Sequence, residues 1–226
     1  SIRTAYVRHL EQMLTLAGES NAAARAQALM NFETQIARVH WNRIDSSDAT
    51  KVYNKMTVAQ LQRLAPGFDF ATWLRGVGAN QNDVLVMQPS AFTGIARLVQ
   101  RAPIGVLRDA MIVRSLAAYE DVLPQAVGDA DFAFYGTALS GTPQREARWK
   151  RAVRFTEGVL GDQLSQEYVR RYFPPESKAA IDRLVRNVID AMGRRIDNLE
   201  WMQPQTKARA RAKLANFTTK IGYPDQ

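Results

Sequence analysis

The sequence contains no cysteine. That absence removes disulfides, thiolate nucleophiles and every zinc site built on sulfur. Histidine is almost as scarce, with His9 and His40 the two present. They fall on separate expected helices, and neither has a second histidine four residues away to share a metal from one helical face. A single metal needs three or more ligands, so both read as structural residues, His40 beside Trp41 as a packing or capping group. Long apolar runs are missing too. Nothing approaches the roughly 20 residues that a bilayer crossing requires.

The usual signs of chemistry are also thin. GVGANQND, from Gly76 to Asp83, is rich in glycine but follows no expected strand and opens no strong helix, so it is no phosphate loop. The acid pairs Glu11/Glu19 and Asp129/Asp131 have no spacing that argues for acid–base work and read as solvated. Asn216-Phe217-Thr218 matches a glycosylation acceptor, but the triplet is short and is expected inside a helix, so it is given no role. The expected catalytic, cofactor-binding and metal-ligating residues of this chain are therefore none.

What remains is an ordinary globular composition. The chain has 226 residues, 46% of them hydrophobic and 23% charged, enough to build a core. A chain that opens on Ser1 rather than methionine is expected to have lost its natural start. The formal net charge of +8 raises nucleic acid or an anionic surface as a partner. Solvated arginine-rich helix faces explain the same charge more simply.

Helical periodicity runs through almost the whole chain. Ile2 to Ala17 places Tyr6, Leu10, Met13, Leu14 and Ala17 on one side and stops at Gly18. A second helix, from near Ser20, carries Leu29, Phe32, Ile36 and Val39. Ile44 to Thr50 reads as loop. Thr57 with Gln60 three residues on fits a capping box, which predicts a helix from Val58 to about Leu64. Asp69 caps a further turn holding Phe70, Trp73 and Leu74. Asp83 to Gln88 is the one strand-like run, expected as an extended connection.

Helices are then expected over Ala91–Gln100 and Ile104–Tyr119, followed by a loop from Leu123 to about Asp131. Trp149, Val153, Leu160, Leu164, Tyr168 and Tyr172 mark a helix between Gln144 and Tyr172. Ile181, Leu184, Val185, Val188, Met192, Ile196 and Leu199 mark another. In the last stretch Pro204 suits a first helical turn, and Thr206, Ala210, Leu214, Phe217 and Ile221 form an apolar stripe expected to be buried. Gly222 and Pro224 close it. Lys207, Arg209, Arg211, Lys213 and Lys220 lie off the stripe. Their alternation spreads charge around the helix, and no aromatic residue alternates with them as a base-stacking platform requires. The expected fold is all-α: a multi-helix, bundle-like lobe across 1–226 as a single domain, with at most one short isolated strand or hairpin.

Three segments in order resemble the neprilysin-type zinc metallopeptidases, the family of neprilysin, the endothelin-converting enzymes and bacterial oligopeptidases. The first is Tyr53-Asn54-Lys55-Met56-Thr57 with Ala59-Gln60. The second is Tyr135-Gly136 followed by Trp149-Lys150-Arg151. The third is Trp201-Met202, Thr206-Lys207 and Ile221-Gly222-Tyr223-Pro224-Asp225. The resemblance runs from about Ile36 to the end.

It implies a parent enzyme, a zinc metalloendopeptidase, whose zinc is held by an HExxH helix and a later glutamate. Neither that helix nor the family's substrate-gripping Asn-Ala-Tyr segment is in this sequence, and both are expected beyond Gln226. The chain then corresponds to the helical lobe that roofs the active-site cavity and limits access to peptides, inactive by itself and without zinc of its own. Its implied partners are peptide substrates and the catalytic domain of the same protein, with no nucleic acid and no membrane span. Its implied location is extracytoplasmic, periplasmic or secreted. The lack of cysteine, including around Ala152 and Val153, points to a bacterial member. The alternative is a freestanding basic helical module that binds nucleic acid or an anionic surface.

Overall fold

The computed structural model describes residues 1–223, and Pro224 and Asp225 of the third motif lie outside them. Among the described residues it is almost wholly helical, with one two-stranded antiparallel sheet, as the periodicity predicts. The chain divides into two compact units, Ser1–Glu146 and Ala147–Gln226.

The first unit is built on two helices, α1 (Ile2–Leu16) and α2 (Ala22–Val39). Helix α1 stops where Gly18 takes φ 79°, and the amides of Gly18 and Glu19 fold back to Thr15 O and Leu14 O at 2.9 and 3.0 Å. Only glycine adopts that left-handed geometry without cost, so the turn into α2 is set there. Leu10, Met13 and Leu14 of α1 meet Ala26, Leu29 and Phe32 of α2. Val113 joins them from α7 (Ile104–Ala118), and Val127 and Ala130 from α8 (Gln125–Asp131).

A smaller core forms beside it from Leu61, Ala65, Phe70 and Val86. Its elements are β1 (Lys55–Thr57), α4 (Val58–Leu64), α5 (Phe70–Gly76) and β2 (Asp83–Leu85). Both bonds of the expected capping box form: the Gln60 amide donates to Thr57 Oγ1 at 3.1 Å, and the Thr57 amide to Gln60 Oε1 at 2.7 Å. Helix α6 (Pro89–Arg101) ties the two cores, giving Leu98 to the larger and Ala96 to the smaller.

Three expectations change in this unit. The loop expected over Ile44–Thr50 contains the short helix α3 (Arg43–Ser47), because the Asn42 side chain accepts from the Asp45 amide and nucleates a turn. The strand over Asp83–Leu85 is paired, with Lys55 opposite Leu85 and Thr57 opposite Asp83, a partner too distant in sequence for a local pattern to reveal. The loop expected from Leu123 is helix α8, and it runs directly into a π-helical segment, Phe132–Leu139.

The second unit holds α9 (Arg148–Tyr172), α10 (Pro175–Asp197) and α11 (Pro204–Ala215). Helix α9 is kinked at Leu160, whose φ of −117° and ψ of 25° leave the helical range. Helix α11 ends at Ala215 rather than near Gly222, and none of its residues is buried. The stripe expected to pack inside is half-covered at Ala210 and Leu214 and open at Thr206 and Phe217.

Candidate functional site

His9 sits in the first unit's core with 3% of its surface exposed. Its Nδ1 lies 3.3 Å from Ala130 O, which assigns Nδ1 as the protonated nitrogen, since a carbonyl can only accept. Nε2 is buried and has no hydrogen-bond partner. Phe134 stacks on the imidazole at 5.2 Å, and Tyr135 meets it edge-on at 5.4 Å. Burial holds the His9 pKa below its ordinary value, against smaller upward pulls from Ala130 O and Asp131. Burial likewise raises the Asp131 carboxyl, whose Oδ1 is also unpartnered. Tyr6 donates to Glu33 Oε2 at 2.6 Å, and burial with that bond pushes its pKa well up. This is a core histidine, as the sequence reading holds.

His40 caps the end of α2. Its Nδ1 and the Trp41 amide both reach Gln88 Oε1, at 3.1 and 2.9 Å, while Trp41 Nε1 donates to Ser90 Oγ at 2.7 Å. The group joins α2 to the start of α6. Among the described residues no three of His, Asp and Glu converge to hold a metal. The donors present therefore do not fit a zinc site.

The acid pairs do not behave as solvated groups throughout. Glu19 bonds Arg108 and Arg25, and these two hold its carboxyl below the usual range in that order. Arg25 also grips Asp109 bidentately through Nε, at 3.0 Å, and Nη2, and the Asp109 side chain is 3% exposed. Asp129 lies 3.4 Å from Arg145, which also pairs with Glu120. Pairs separated by this much chain leave no local mark, so sequence spacing missed them.

The Gly76–Asp83 segment lies between α5 and β2, so its glycines end a helix and precede a strand. Its residues Ala79, Asn80, Gln81 and Asn82, together with Val58, Gln62, Phe68 and Arg75, line an open recess of about 860 Å³. Gln62, Asn80, Gln81 and Asn82 give it amide donors and acceptors, and Asp69 is committed to the Thr72 amide and hydroxyl at 2.9 and 2.6 Å. It offers hydrogen bonding and shape, with no paired groups for proton transfer.

The basic run on α11 has structural work. Lys207 Nζ donates to Asp197 O at 2.7 Å, and Arg211 pairs with Asp197 at 3.2 Å, both at the negative end of α10. Asn216 is the cap residue after α11, so the Asn216-Phe217-Thr218 triplet lies past the helix rather than within it. The motif aromatics Tyr53, Trp149 and Trp201 are 68%, 66% and 74% exposed.

The class defined is a mostly helical chain with one two-stranded sheet, whose first unit holds two cores. Residues 1–224 match the family model described as peptidase family M13. The chain belongs to peptidase family M13, in the N-terminal region of its members. It is 26% identical to Neprilysin-2 of Drosophila melanogaster, over 99% of this chain and 31% of the relative. It is 26% identical to the neutral endopeptidase of Lactobacillus helveticus, over 92% of this chain and 32% of the relative. The chain thus spans about a third of the curated relatives it matches. All of it superposes on 35% of the Mycobacterium tuberculosis zinc metalloprotease Zmp1 in an inhibitor complex, with TM-score 0.82 and 35% identity. PepO from Lactobacillus rhamnosis HN001, at 20% identity and TM-score 0.81, shares the fold.

Proposed function

We propose that this chain is the cleft-covering helical lobe of a longer zinc metalloendopeptidase, and that residues 1–226 act as one non-catalytic lobe within it. The observation that carries this is the superposition of the entire chain on about a third of a zinc metalloprotease. Zinc, when bound elsewhere in the longer protein, supplies the Lewis acid for peptide hydrolysis. The residues of this chain supply rigid walls: two closed cores in the first unit and an amide-lined recess between α4 and α5. Walls of this kind admit extended peptides and exclude folded proteins, and opening of such a lobe gates entry. On this reading the parent enzyme works outside the cytoplasm, periplasmic or secreted, and the resemblance to the family supports that location.

The test compares two proteins. The longer polypeptide is expected to hydrolyse short peptides in a chelator-sensitive way and to leave folded proteins intact. The 226-residue chain is expected to bind no stoichiometric zinc and cleave nothing. Zinc-dependent cleavage by the 226-residue chain would overturn the proposal.

A further inference from the structure

The bonds at the two ends of the β1–β2 ladder fix which backbone groups the sheet uses. The Val58 amide donates to Asn82 O at 2.8 Å, and the Val86 amide to Asn54 O at 3.0 Å. Both pairs continue the register that sets Met56 opposite Val84. Asn54, Met56 and Val58 are therefore the residues bonded to Val86, Val84 and Asn82. In an antiparallel pair the residues between them turn their N–H and C=O groups away from the ladder. Those residues are Lys55 and Thr57 on β1, and Asp83 and Leu85 on β2. The outer side of β1 is partly closed, because the Thr57 amide is taken by Gln60 Oε1. On β2 the amides and carbonyls of Asp83 and Leu85 have no hydrogen-bond partner among the described residues.

Those groups lie at the surface. Val84 and Val86 turn inward and pack on the smaller core with Met56 and Val58. Leu85 and Met87 stay open, each 52% exposed. A free edge is commonly guarded by a charged side chain. Here the charge that β2 carries, Asp83, is held by Lys55 across the ladder at 3.0 Å. The chain just before Asp83 brings Asn80, Gln81 and Asn82 to the recess that Gln62 of α4 also lines. Carboxamides both donate and accept, as pairing with a peptide backbone requires.

We propose that the outer edge of β2 binds an extended peptide, which adds as a third strand against Asp83 and Leu85 and continues over the carboxamides of the recess. An extended backbone presents N–H and C=O groups at the two-residue spacing of this edge, whereas a helix uses its own groups internally. Alternate side chains of the added strand fall beside Leu85 and Met87, so the site favours peptides that are apolar at every second position. The choice of a peptide as occupant rests on the reading of this chain as a lobe of a peptidase.

Fluorescence anisotropy on the 226-residue chain tests it. The probe is a labelled peptide of alternating valine and serine with a lysine at each end. Saturable binding with a Kd of about 0.1 mM or tighter is expected. Two N-methylated versions then separate edge pairing from other modes, because each blocks the amides on one side of the strand. Methylating the residues that face β2 should weaken binding at least about tenfold, and methylating the alternate set less than about twofold. No saturable binding up to about 1 mM would overturn the proposal, as would equal losses from both methylated peptides.

Leu85→Pro makes the matching change in the protein. The Leu85 N–H points away from the ladder, so proline removes an edge donor and no ladder bond. Binding should fall at least about tenfold with the urea midpoint unchanged, and unaltered binding would overturn the proposal. If proline lowers the midpoint, the methylated peptides decide. Dimerisation of the chain that Leu85→Pro abolishes would make the occupant a second copy and overturn it too. The full-length protein, with chelator present to stop hydrolysis, should show the same pattern, and loss of binding there would mean that the edge is covered. Binding is read without cleavage. A full-length protein that binds the probe but lacks chelator-sensitive hydrolysis would defeat the peptidase reading and leave this site standing.

Discussion

Residues up to Glu146 and residues from Ala147 onward both carry helices with apolar stripes, yet the first set covers far more of its own. Leu10, Met13, Leu14 and Leu29 are fully buried there. On α9 and α10 the corresponding positions stay open: Leu160 is 47% exposed, Leu184 61% and Val188 57%. Ile196 is the large apolar side chain of the second unit that is buried among the described residues. Charge divides the same way. The first unit joins distant segments, as in Arg25–Asp109, whereas α9 pairs Arg170 and Arg171 with Glu167 one turn away. A stripe states that a helix face has to be covered. It does not say by what.

If the first unit supplies its own stability, its core should be the most sensitive place in the chain. Leu10→Ala removes a fully buried side chain between α1 and α2 and should cost about 3 kcal/mol. Urea unfolding followed at Trp41 and Trp73 reads it. A loss below about 1 kcal/mol would break the contrast between the units.

Asp109→Asn comes next. The carboxylate is almost fully buried against Arg25, so removing its charge should destabilise by about 2–3 kcal/mol, at the lower end because Arg25 keeps Glu19. A double substitution of Arg25 and Asp109 to apolar residues should recover part of the loss, which a mutant cycle measures.

Local signals were the legible ones in the sequence. The Thr57–Gln60 box, the Asp69 cap and the Gly18 stop each depend on residues three or four apart, and each forms where the spacing places it. The pairing of β1 with β2 and the Arg25–Asp109 link join residues far apart in the chain, so no periodicity could show them. The π-helical segment over 132–139 was hidden because its aromatic run reads equally as a strand end or a loop. On α11 the stripe was read correctly as apolar. Its burial was inferred from a partner surface that the described residues do not supply.

His9 sharpens the comparison through pH. In the fold its pKa lies below the ordinary 6.5, mainly through burial, so the neutral ring is favoured. As pH falls through 6.5 the unfolded chain takes up a proton that the folded one refuses, and stability drops by up to about 1.4 kcal/mol per pH unit. Asp131, held above its ordinary value by burial, works in the opposite sense nearer its own range, because there the folded carboxyl binds the proton more readily. His9→Asn keeps an N–H toward Ala130 O and should flatten the slope near pH 6. Denaturation midpoints between pH 5.5 and 7.5 decide it, and an unchanged slope would remove His9 as the cause.

Thr57→Ala should cost about 1 kcal/mol, since it leaves the Gln60 amide without its acceptor at the start of α4. The effect belongs to the smaller core, and Gln60→Ala should produce a similar, non-additive loss.

The smallest expected effect carries the most information about the second unit. Leu164→Ala trims a side chain that is already 43% exposed, so in the 226-residue chain it should shift stability by less than about 0.5 kcal/mol. The same substitution in a longer protein that covers α9 becomes a core truncation, for which the cost rises toward about 2 kcal/mol or more. Fluorescence from Trp149 and Trp201 reports unfolding of this unit, so both values come from one measurement on two proteins. Equal small values would show that α9 is a free face. A large value in the 226-residue chain alone would show that the unit already closes over its stripe without help.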